Sequence, residues 1–444
     1  MGWALSKPSA MIAFSPRGPL RGAARIPGDK SISHRALILA ALAVGRSRID
    51  NPCDGTDILA TIAALRAMGA RIERHADDGF PAGQGWRVDG VGVGGLLQPA
   101  APFDLGNSGT SARLLMGLVA SHPISARFTG DASLRRRPMA RITAPLRRIG
   151  ARVDGDTLPL DVEGLHPAIP TRHRLEIPSA QVKSALLLAA LNTPGVSELI
   201  EAAPTRDHLE RLLALFGADI AVDGPHIGLR GEAELRPQAL TVAGDASAAA
   251  ILAVAALVVP GSELRMEGVG VNPGRTGLFE MLREMGGDIA FSNRRDISGE
   301  PVADLVVRHS ALRGVEVPPE MAPRTIDEYP ILFVAAAFAR GRTVTRGLAE
   351  LRLKESDRLA AMAAGLDAIG VRAEALADGL VVHGGGGAPL PGGAVIDPRL
   401  DHRVAMAFAV AGLNARAPVG IAGMNIVDTS FPGFLSALEA LAPA

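Results

Sequence analysis

Five times along the chain a helix-like stretch ends in the same way, with aliphatic residues, a glycine and then a strand-like run. "LRAMGARI" closes at Ile72, "LRRIGARV" at Val153, "LALFGADI" at Ile220, "LREMGGDI" at Ile289 and "LDAIGVRA" at Ala373, while a sixth copy, "LSALEALAPA", stops short. The glycine reads as the left-handed residue after a helix C-terminus, and the alternation beyond it as a strand. Ahead of each ending comes an apolar helix, a Gly or Pro, a β-branched strand and a polar loop opening the second helix. The apolar helices are "HRALILAALAVG", "SARLLMGLVASHP", "KSALLLAALNTPG", "SAAAILAVAALVVPG", "YPILFVAAAFARG" and "RVAMAFAVAGLNARAP". Segments apolar on every side belong inside a bundle of other helices. The period of about 65 to 85 residues is too long for the common solenoids, and each copy mixes helix with strand. The chain is therefore read as six α+β units in two groups of three, divided near residue 241 in "ELRPQALTVAGDAS".

Composition limits what such a repeat can do. At 444 residues, two domains of about 200 residues are expected. Hydrophobic residues make up 48% but aromatics only 3%, beside 51 glycines, which favours cores of closely packed small helices. Lys plus Arg equals Asp plus Glu at 46 each, so no overall field draws in nucleic acid or an anionic membrane, and any anion site must be local. A single cysteine, Cys53, excludes an internal disulfide and a thiolate metal cage and fits a reducing cytosol. The longest apolar run, Ala248–Val259, is too short to span a bilayer. The opening "MGWALSKPSAMIAF" has no basic region leading into a long apolar stretch, so no secretory signal is expected. Its fit to the short M-G-x-x-x-S pattern is read as coincidence.

The chemistry gathers at the helix entrances. The apolar helices are preceded or opened by "GDKSISHR", "GNSGTSAR", "PSAQVKS", "AGDASA", "RTIDEYP" and "RLDHR", and the second helices by "CDGTD", "RRRPMAR", "TRDHLER", "NPGRTG", "LKESDR" and "DTSFPG". Capping accounts for Asp, Ser, Thr and Asn at such places, but basic residues oppose the positive end of the helix dipole. Lys30, Arg35, Arg137, Arg206, Lys354 and Arg358 therefore call for another reason. Helix N-termini brought together by a pseudo-symmetric repeat would offer N–H groups and positive dipole ends to an anion.

Lysine usage sharpens the point. The chain holds only Lys7, Lys30, Lys183 and Lys354, against 42 arginines. A compact ammonium with an adjustable pKa does work that guanidinium cannot, which singles out Lys30 and Lys354. Lys183, inside "AQVKSALLL", reads more readily as a snorkelling lysine. "LKESDR" puts Lys354 and Arg358 at i, i+4, on one helix face, with Glu355 between them. Asp327 and Glu328 form a carboxylate pair before a buried helix, where Asp327 could also serve as a cap. Cations beside carboxylates suit acid–base chemistry on phosphorylated compounds. No H-E-x-x-H, Cys/His set, Walker A or well-placed G-x-G-x-x-G occurs, so neither a catalytic metal nor a nucleotide loop is expected. "GGGG" at Gly384–Gly387 is read as a flexible hairpin loop.

Taken together, "GDKSISHRALILAAL", "LGNSGTSARL", "GDASLRRRPM", "SAQVKSALLLAALN", "RDHLERLL", "IDEYPIL", "LRLKESDRL" and "DHRVAMAFAVAGL" resemble the 5-enolpyruvylshikimate-3-phosphate synthase family, in order and over nearly the whole chain. The resemblance implies two globular domains of three βαβαββ units each, with the active site in the cleft between them. It assigns 27–241 to one domain and 1–26 plus 242–444 to the other. The implied reaction is carboxyvinyl transfer from phosphoenolpyruvate to the 5-hydroxyl of shikimate 3-phosphate, on the route to chorismate and the aromatic amino acids. It needs no cofactor and no metal. A cytoplasmic monomer with small-molecule substrates, and no nucleic-acid or membrane partner, is expected.

By the same resemblance Lys30 touches both substrates. Ser31, Arg35, Ser179, Gln181, Arg206, Asp327 and Lys354 hold shikimate 3-phosphate. Gly109, Thr110, Arg137, Gln181, Arg358 and Arg403 hold phosphoenolpyruvate. Asp327, Glu355 and Lys30 share the proton transfers. The sequence looks closest to the bacterial class that includes glyphosate-tolerant enzymes, though one position is not of that kind, and it departs from the family pattern at a second. "VDTSFPGF" has Thr429 or Ser430 where some members carry a Lys, so one phosphoenolpyruvate contact is missing or supplied elsewhere. Gly109 stands where certain tolerant relatives have Ala, which leaves room for glyphosate. The nearest alternative is UDP-N-acetylglucosamine 1-carboxyvinyltransferase, which shares fold and donor but usually needs a catalytic cysteine on a mobile loop, a setting that "NPCDGTD" around Cys53 does not offer. A nucleic-acid-binding module is disfavoured by the zero net charge and scarce aromatics, and an inactive scaffold by the acids and cations at every expected helix entrance.

Overall fold

The structure, a computed structural model, describes residues 11–75 and 85–442. Lys7 and the M-G-x-x-x-S stretch lie outside the described residues. Those described fall into two compact units. One takes in Pro27–Ala243 and Asp296–Pro301; the other takes in the residues up to Ile26, Gly244–Arg295 and those from Val302 on.

Each apolar stretch forms a buried inner helix: Lys30–Leu42, Gly109–Ala120 and Ala180–Leu191 in the first unit, and Ala246–Val258, Tyr329–Phe338 and His402–Gly412 in the second. Every residue of Ala246–Val258 is buried. Small residues allow this density. A Cβ on Gly117 would lie 2.1 Å from the Ala185 carbonyl oxygen, so the second and third inner helices meet backbone to side-chain-free backbone. The second unit holds one continuous apolar core running from Phe14 through its three inner helices to Ala442.

The sheets repeat as closely as the helices. Among the described residues five four-stranded sheets share one order. In each, the strand after the inner helix pairs parallel with an outer strand and antiparallel with the last strand, which in turn carries the strand after the second helix. Val44–Asp50, for example, pairs antiparallel with Gly85–Val91, Ser47 opposite Val88, and parallel with Ala239–Thr241, Leu240 opposite Ile49. That outer strand arrives from nearly two hundred residues downstream. In the second unit Arg21–Ala24 fills the same place beside Glu263–Gly270. The sixth copy departs from the rule: Leu390–Gly392 pairs with Ala415–Ala417, while Ile12–Phe14, Val419–Ile421 and Val395–Ile396 form a three-stranded sheet.

The repeated glycines do what their pattern implies. Gly69, Gly150, Gly217, Gly286 and Gly370 all have positive φ, between 80° and 105°, just beyond their helices. Residues 242 and 243 group with the first unit because Val242 N–H donates to the Asp50 carbonyl at 2.9 Å and Asp29 N–H donates to the Ala243 carbonyl at 2.8 Å. The hairpin tip 296–301 groups there too, with Thr241 N–H donating to Ser298 Oγ at 3.0 Å.

Two local expectations are corrected. Gly384 and Gly385 are not a flexible loop but the end of strand Gly379–Gly385, paired with Gly341 and Arg340; the turn begins only at Gly386. Gly384 has a packing reason, since a Cβ there would sit 2.0 Å from the Ala339 carbonyl oxygen. Gly90, Gly164 and Gly231 pass equally close to carbonyls at the ends of their own inner helices. "LKESDR" is not a helical turn either: the helix begins at Arg358, capped by Asp357, whose Oδ1 accepts from Ala360 N–H at 3.0 Å. Lys354 and Arg358 therefore share no helix face.

Candidate active site

Capping explains part of the polar character at the inner-helix entrances. Asp29, Ser108, Ser179, Asp245 and Asp401 each accept a backbone N–H of their own first turn. The candidates lie around these caps and at the entrances of the second helices, and each unit carries its own cluster.

In the first unit Gly28 admits no side chain, because a Cβ would lie 1.8 Å from the Asn51 carbonyl oxygen. This close turn delivers Asp29 and Lys30 to the mouth of the first inner helix, where Lys30 Nζ lies 3.0 Å from Asp57 Oδ2. Arg35 is buried one turn further in. Its Nη2 and Nε donate to Ser184 Oγ at 2.8 and 3.2 Å, and its Nη1 to the Ser31 carbonyl at 2.9 Å. The bonds to Ser184 tie the first inner helix to the third.

The second inner helix opens with Gly109 and Thr110. Gln181 Nε2 donates to Thr110 Oγ1 at 2.9 Å, and its Oε1 accepts from Arg113 Nη1 at 2.9 Å. Arg137 Nη2 donates to Asn107 Oδ1 at 2.7 Å and Ser133 Oγ at 3.1 Å. A Cβ at Gly109 would meet Arg113 Nη1 at 2.7 Å and Arg137 Nη1 at 2.8 Å, so Gly109, Thr110, Arg137 and Gln181 form one patch. Ser179 caps the third inner helix, and half-buried Arg206 lies on the loop after strand Val196–Glu201. Lys183 does not snorkel. It is 1% exposed and ion-paired with Glu210 and Glu201, because its helix runs through the interior and leaves the stem no route to water.

In the second unit Asp327 occupies a turn ahead of the fifth inner helix. It is not a cap: the capping position belongs to Glu328, which makes no side-chain capping bond. The Asp327 carboxylate instead faces cations, with Lys354 Nζ at 3.6 Å and Arg358 Nη1 at 3.5 Å. Arg358, 1% exposed, is bound by Asp401 at 2.8 Å through Nε and by Glu355 at 2.5 Å through Nη2. Burial alone would lower its pKa, but Asp401, Glu355 and Asp327 together push it well above the usual arginine value. Arg403 Nη1 donates to the Asp327 carbonyl at 2.9 Å, while its own N–H is held by Asp401 Oδ1 at 3.0 Å. Asp327, Lys354, Glu355, Arg358 and Arg403 are thus one constellation.

Behind it lies a layer built around Glu328, in which the sequence did not mark out Arg275, Ser247 and Asp245. Arg275 Nη2 donates to Ser247 Oγ at 2.6 Å and to Asp245 Oδ1 at 3.2 Å, and Ser247 Oγ also bonds Glu328. Glu328 lies 3.5 Å from Arg403 Nη1. The signal for Arg275 was its place in "NPGRTG", at a second-helix entrance like Asp57 in "CDGTD".

The repeated units define the class: this is the fold of the enolpyruvyl transferases, seen in NikO from Streptomyces tendae, with a TM-score of 0.78 over 98% of each chain at 22% identity. The chain belongs to the EPSP synthase (3-phosphoshikimate 1-carboxyvinyltransferase) family, whose model matches residues 14–438. The 3-phosphoshikimate 1-carboxyvinyltransferase of Sphingopyxis alaskensis is 59% identical, covering 97% of this chain and 98% of that protein. The enzyme of the same name from Novosphingobium aromaticivorans is 56% identical over 96% and 98%. The solved structure of EPSP synthase from Acinetobacter baumannii, at 40% identity, matches with a TM-score of 0.84 over 97% and 98%. The family is one of transferases.

Proposed function

We propose that the chain transfers the carboxyvinyl group of phosphoenolpyruvate to the 5-hydroxyl of shikimate 3-phosphate, giving 5-enolpyruvylshikimate 3-phosphate and phosphate. The observation that carries this reading is Arg358, buried among Asp327, Glu355 and Asp401 with Lys354 beside Asp327. Cations for two polyanions and carboxylates for two proton transfers stand within one constellation.

The roles are those the family resemblance implies, and the charges of the residues fit them. Lys30, Ser31, Arg35, Ser179, Gln181, Arg206 and Lys354 bind shikimate 3-phosphate. Arg137, Arg358 and Arg403 clamp phosphoenolpyruvate, with Lys30, Gly109, Thr110 and Gln181 lining its place; guanidinium forks match carboxylate and phosphate. Asp327 takes the proton of the attacking 5-hydroxyl. Glu355, with Lys30, delivers a proton to the methylene carbon. The tetrahedral intermediate then loses a methyl proton and expels phosphate, so the same groups act in reverse. Asp401 holds Arg358 and Arg403 in place, and Arg275 holds Glu328.

The reading includes a monomer in the cytosol, which rests on the resemblance alone and is checked by light scattering on the purified protein. It also makes the enzyme inhibitable by glyphosate at the phosphoenolpyruvate site, because Gly109 adds no methyl there. An inhibition constant far above the phosphoenolpyruvate KM would refute that point. Cys53 is 0% exposed, which speaks against a part in chemistry that needs an accessible thiol. The activity itself is tested by phosphorus NMR of the protein with both substrates. Inorganic phosphate should grow as phosphoenolpyruvate decays while the phosphate ester on the shikimate ring persists; a spectrum without new phosphate overturns the proposal.

A further inference from the structure

Lys183 is an expensive residue to keep. It lies on the third inner helix, 1% exposed, where a buried ammonium is tolerated only with partners, and where apolar packing is often at least as stable. Its three donors go three ways. Nζ lies 2.6 Å from Glu210 Oε1, 3.1 Å from Glu201 Oε2 and 3.5 Å from the Thr205 carbonyl. Glu201 ends strand Val196–Glu201, Glu210 lies in the first turn of helix His208–Leu215, and Thr205 is the residue before Arg206. Thr205 Oγ1 also donates to Glu201 Oε1 at 2.5 Å. The loop between strand and helix is therefore gripped from beneath at both ends and at its centre. On its far side Arg211 pairs with Asp207 at 2.9 Å and His208 Nδ1 meets Glu300 at 2.6 Å, so the start of the helix is also fixed. Arg206 is the half-exposed cation this loop presents.

The grip also sets a spacing. Lys183 follows Ser179 by one helical turn, its N–H donating to the Ser179 carbonyl at 3.0 Å, and Gln181 lies between them. One ammonium thus joins the helix mouth bearing Ser179 and Gln181 to the loop bearing Arg206. Arginine's flat fork cannot aim donors in three directions from one atom.

We propose that Lys183 is a positioning residue for the anionic acceptor: through Glu201, Glu210 and the Thr205 carbonyl it holds Arg206 at a set distance from Ser179 and Gln181. This rests on the reading of those three residues as the shikimate 3-phosphate subsite. Burial pushes the Glu210 carboxyl above its ordinary pKa, with Lys183 opposing and the neighbouring Glu201 charge adding a little to the rise. Glu210 can therefore take up a proton when the lysine is removed, which makes the substitution testable in a folded protein.

The experiment is steady-state kinetics with both substrates on Lys183→Met, Arg206→Ala and the double variant, alongside hydrogen exchange of residues 202–207. Lys183→Met should raise the KM for shikimate 3-phosphate by about 10- to 100-fold, the scale of one hydrogen bond to a charged group. The KM for phosphoenolpyruvate and kcat should stay within about threefold, and the double variant should be no worse than Arg206→Ala alone, since the lysine acts through the arginine. An unchanged acceptor KM, a loss confined to kcat, or multiplying effects in the double variant would overturn the proposal. Should Lys183→Met fail to fold, Glu210→Gln carries the same test with a smaller shift in the same direction. If the wild-type protein does not turn over shikimate 3-phosphate, the functional reading fails, and exchange still decides the positioning. Faster exchange at 202–207 in the variant supports it, and equal exchange contradicts it.

Discussion

Replacing Gly109 by alanine adds a single methyl group at a place where the structure allows its effect to be worked out. The backbone there is helical, at the first residue of Gly109–Ala120, so alanine introduces no backbone strain. The cost falls on two arginines. The new Cβ would lie 2.7 Å from Arg113 Nη1 and 2.8 Å from Arg137 Nη1, against ordinary contacts from 3.4 Å, so the two groups must retreat by about 0.7 and 0.6 Å. Neither retreat is free, because Arg113 donates to Gln181 at 2.9 Å and Arg137 to Asn107 at 2.7 Å. A shift of that size stretches one of these bonds to its limit and moves the Arg137 fork off its proposed phosphoenolpyruvate contact. Losing one charge-assisted hydrogen bond, at about 1.5 to 3 kcal/mol, corresponds to about 10- to 100-fold in KM for phosphoenolpyruvate. The acid–base residues are untouched, so kcat should stay within about fivefold. The assay is initial rate against phosphoenolpyruvate at saturating shikimate 3-phosphate. An unchanged KM, or a collapse of kcat at constant KM, would refute the placement of Arg137.

Three further perturbations probe other parts of the molecule. Glu355→Gln keeps the shape beside Arg358 but cannot carry the proton; turnover should drop by about a hundredfold with circular dichroism unchanged, and near-normal turnover would contradict the assignment. Asp401→Asn leaves a polar cap yet removes the charge that Arg358 Nε meets at 2.8 Å, so the midpoint of thermal unfolding should fall by about 6 to 12 °C. An unchanged midpoint would mean that Glu355 and Asp327 alone hold the guanidinium. His122 is pushed down from 6.5 to about 4 by burial, against its bond to the Leu118 carbonyl. Its folded pKa is depressed, so the unfolded chain takes up the proton first: the stability is complete above pH 6.5 and is lost as pH falls through about 4. Burial, with Lys30 and Arg35 nearby, lowers His34 as well, in the same direction. Denaturant unfolding should therefore lose about 3 kcal/mol from His122 across that window, and His122→Gln should flatten the profile.

Much of this architecture can be read from spacing because its signals are local. The glycines at 69, 150, 217, 286 and 370 end helices through their own positive φ, and the inner helices announce themselves by having no polar face. Pairing between distant segments leaves no such mark. Nothing around Ala239–Thr241 or Arg21–Ala24 says that each completes a sheet whose other strands lie far along the chain. Gly384 misled because a run of glycines reads as a loop, whereas this one faces a carbonyl across a helix end that comes near only after folding. Spacing put Lys354 and Arg358 on one helix face, but the helix begins only at Arg358, with Asp357 as its cap; the two cations meet through Asp327 instead. Lys183 was the hardest to read. Its partners Glu201 and Glu210 look like surface charges until the helix is seen to run through the interior.

The central claim is the acceptor. Purified protein should be supplied with phosphoenolpyruvate and either shikimate 3-phosphate or UDP-N-acetylglucosamine, and phosphate release followed continuously. The account predicts turnover with shikimate 3-phosphate and none with the nucleotide sugar. Release only with the nucleotide sugar would contradict it and move the chain to a different carboxyvinyl transfer, and silence with both would leave the clusters at the helix mouths without the chemistry assigned to them.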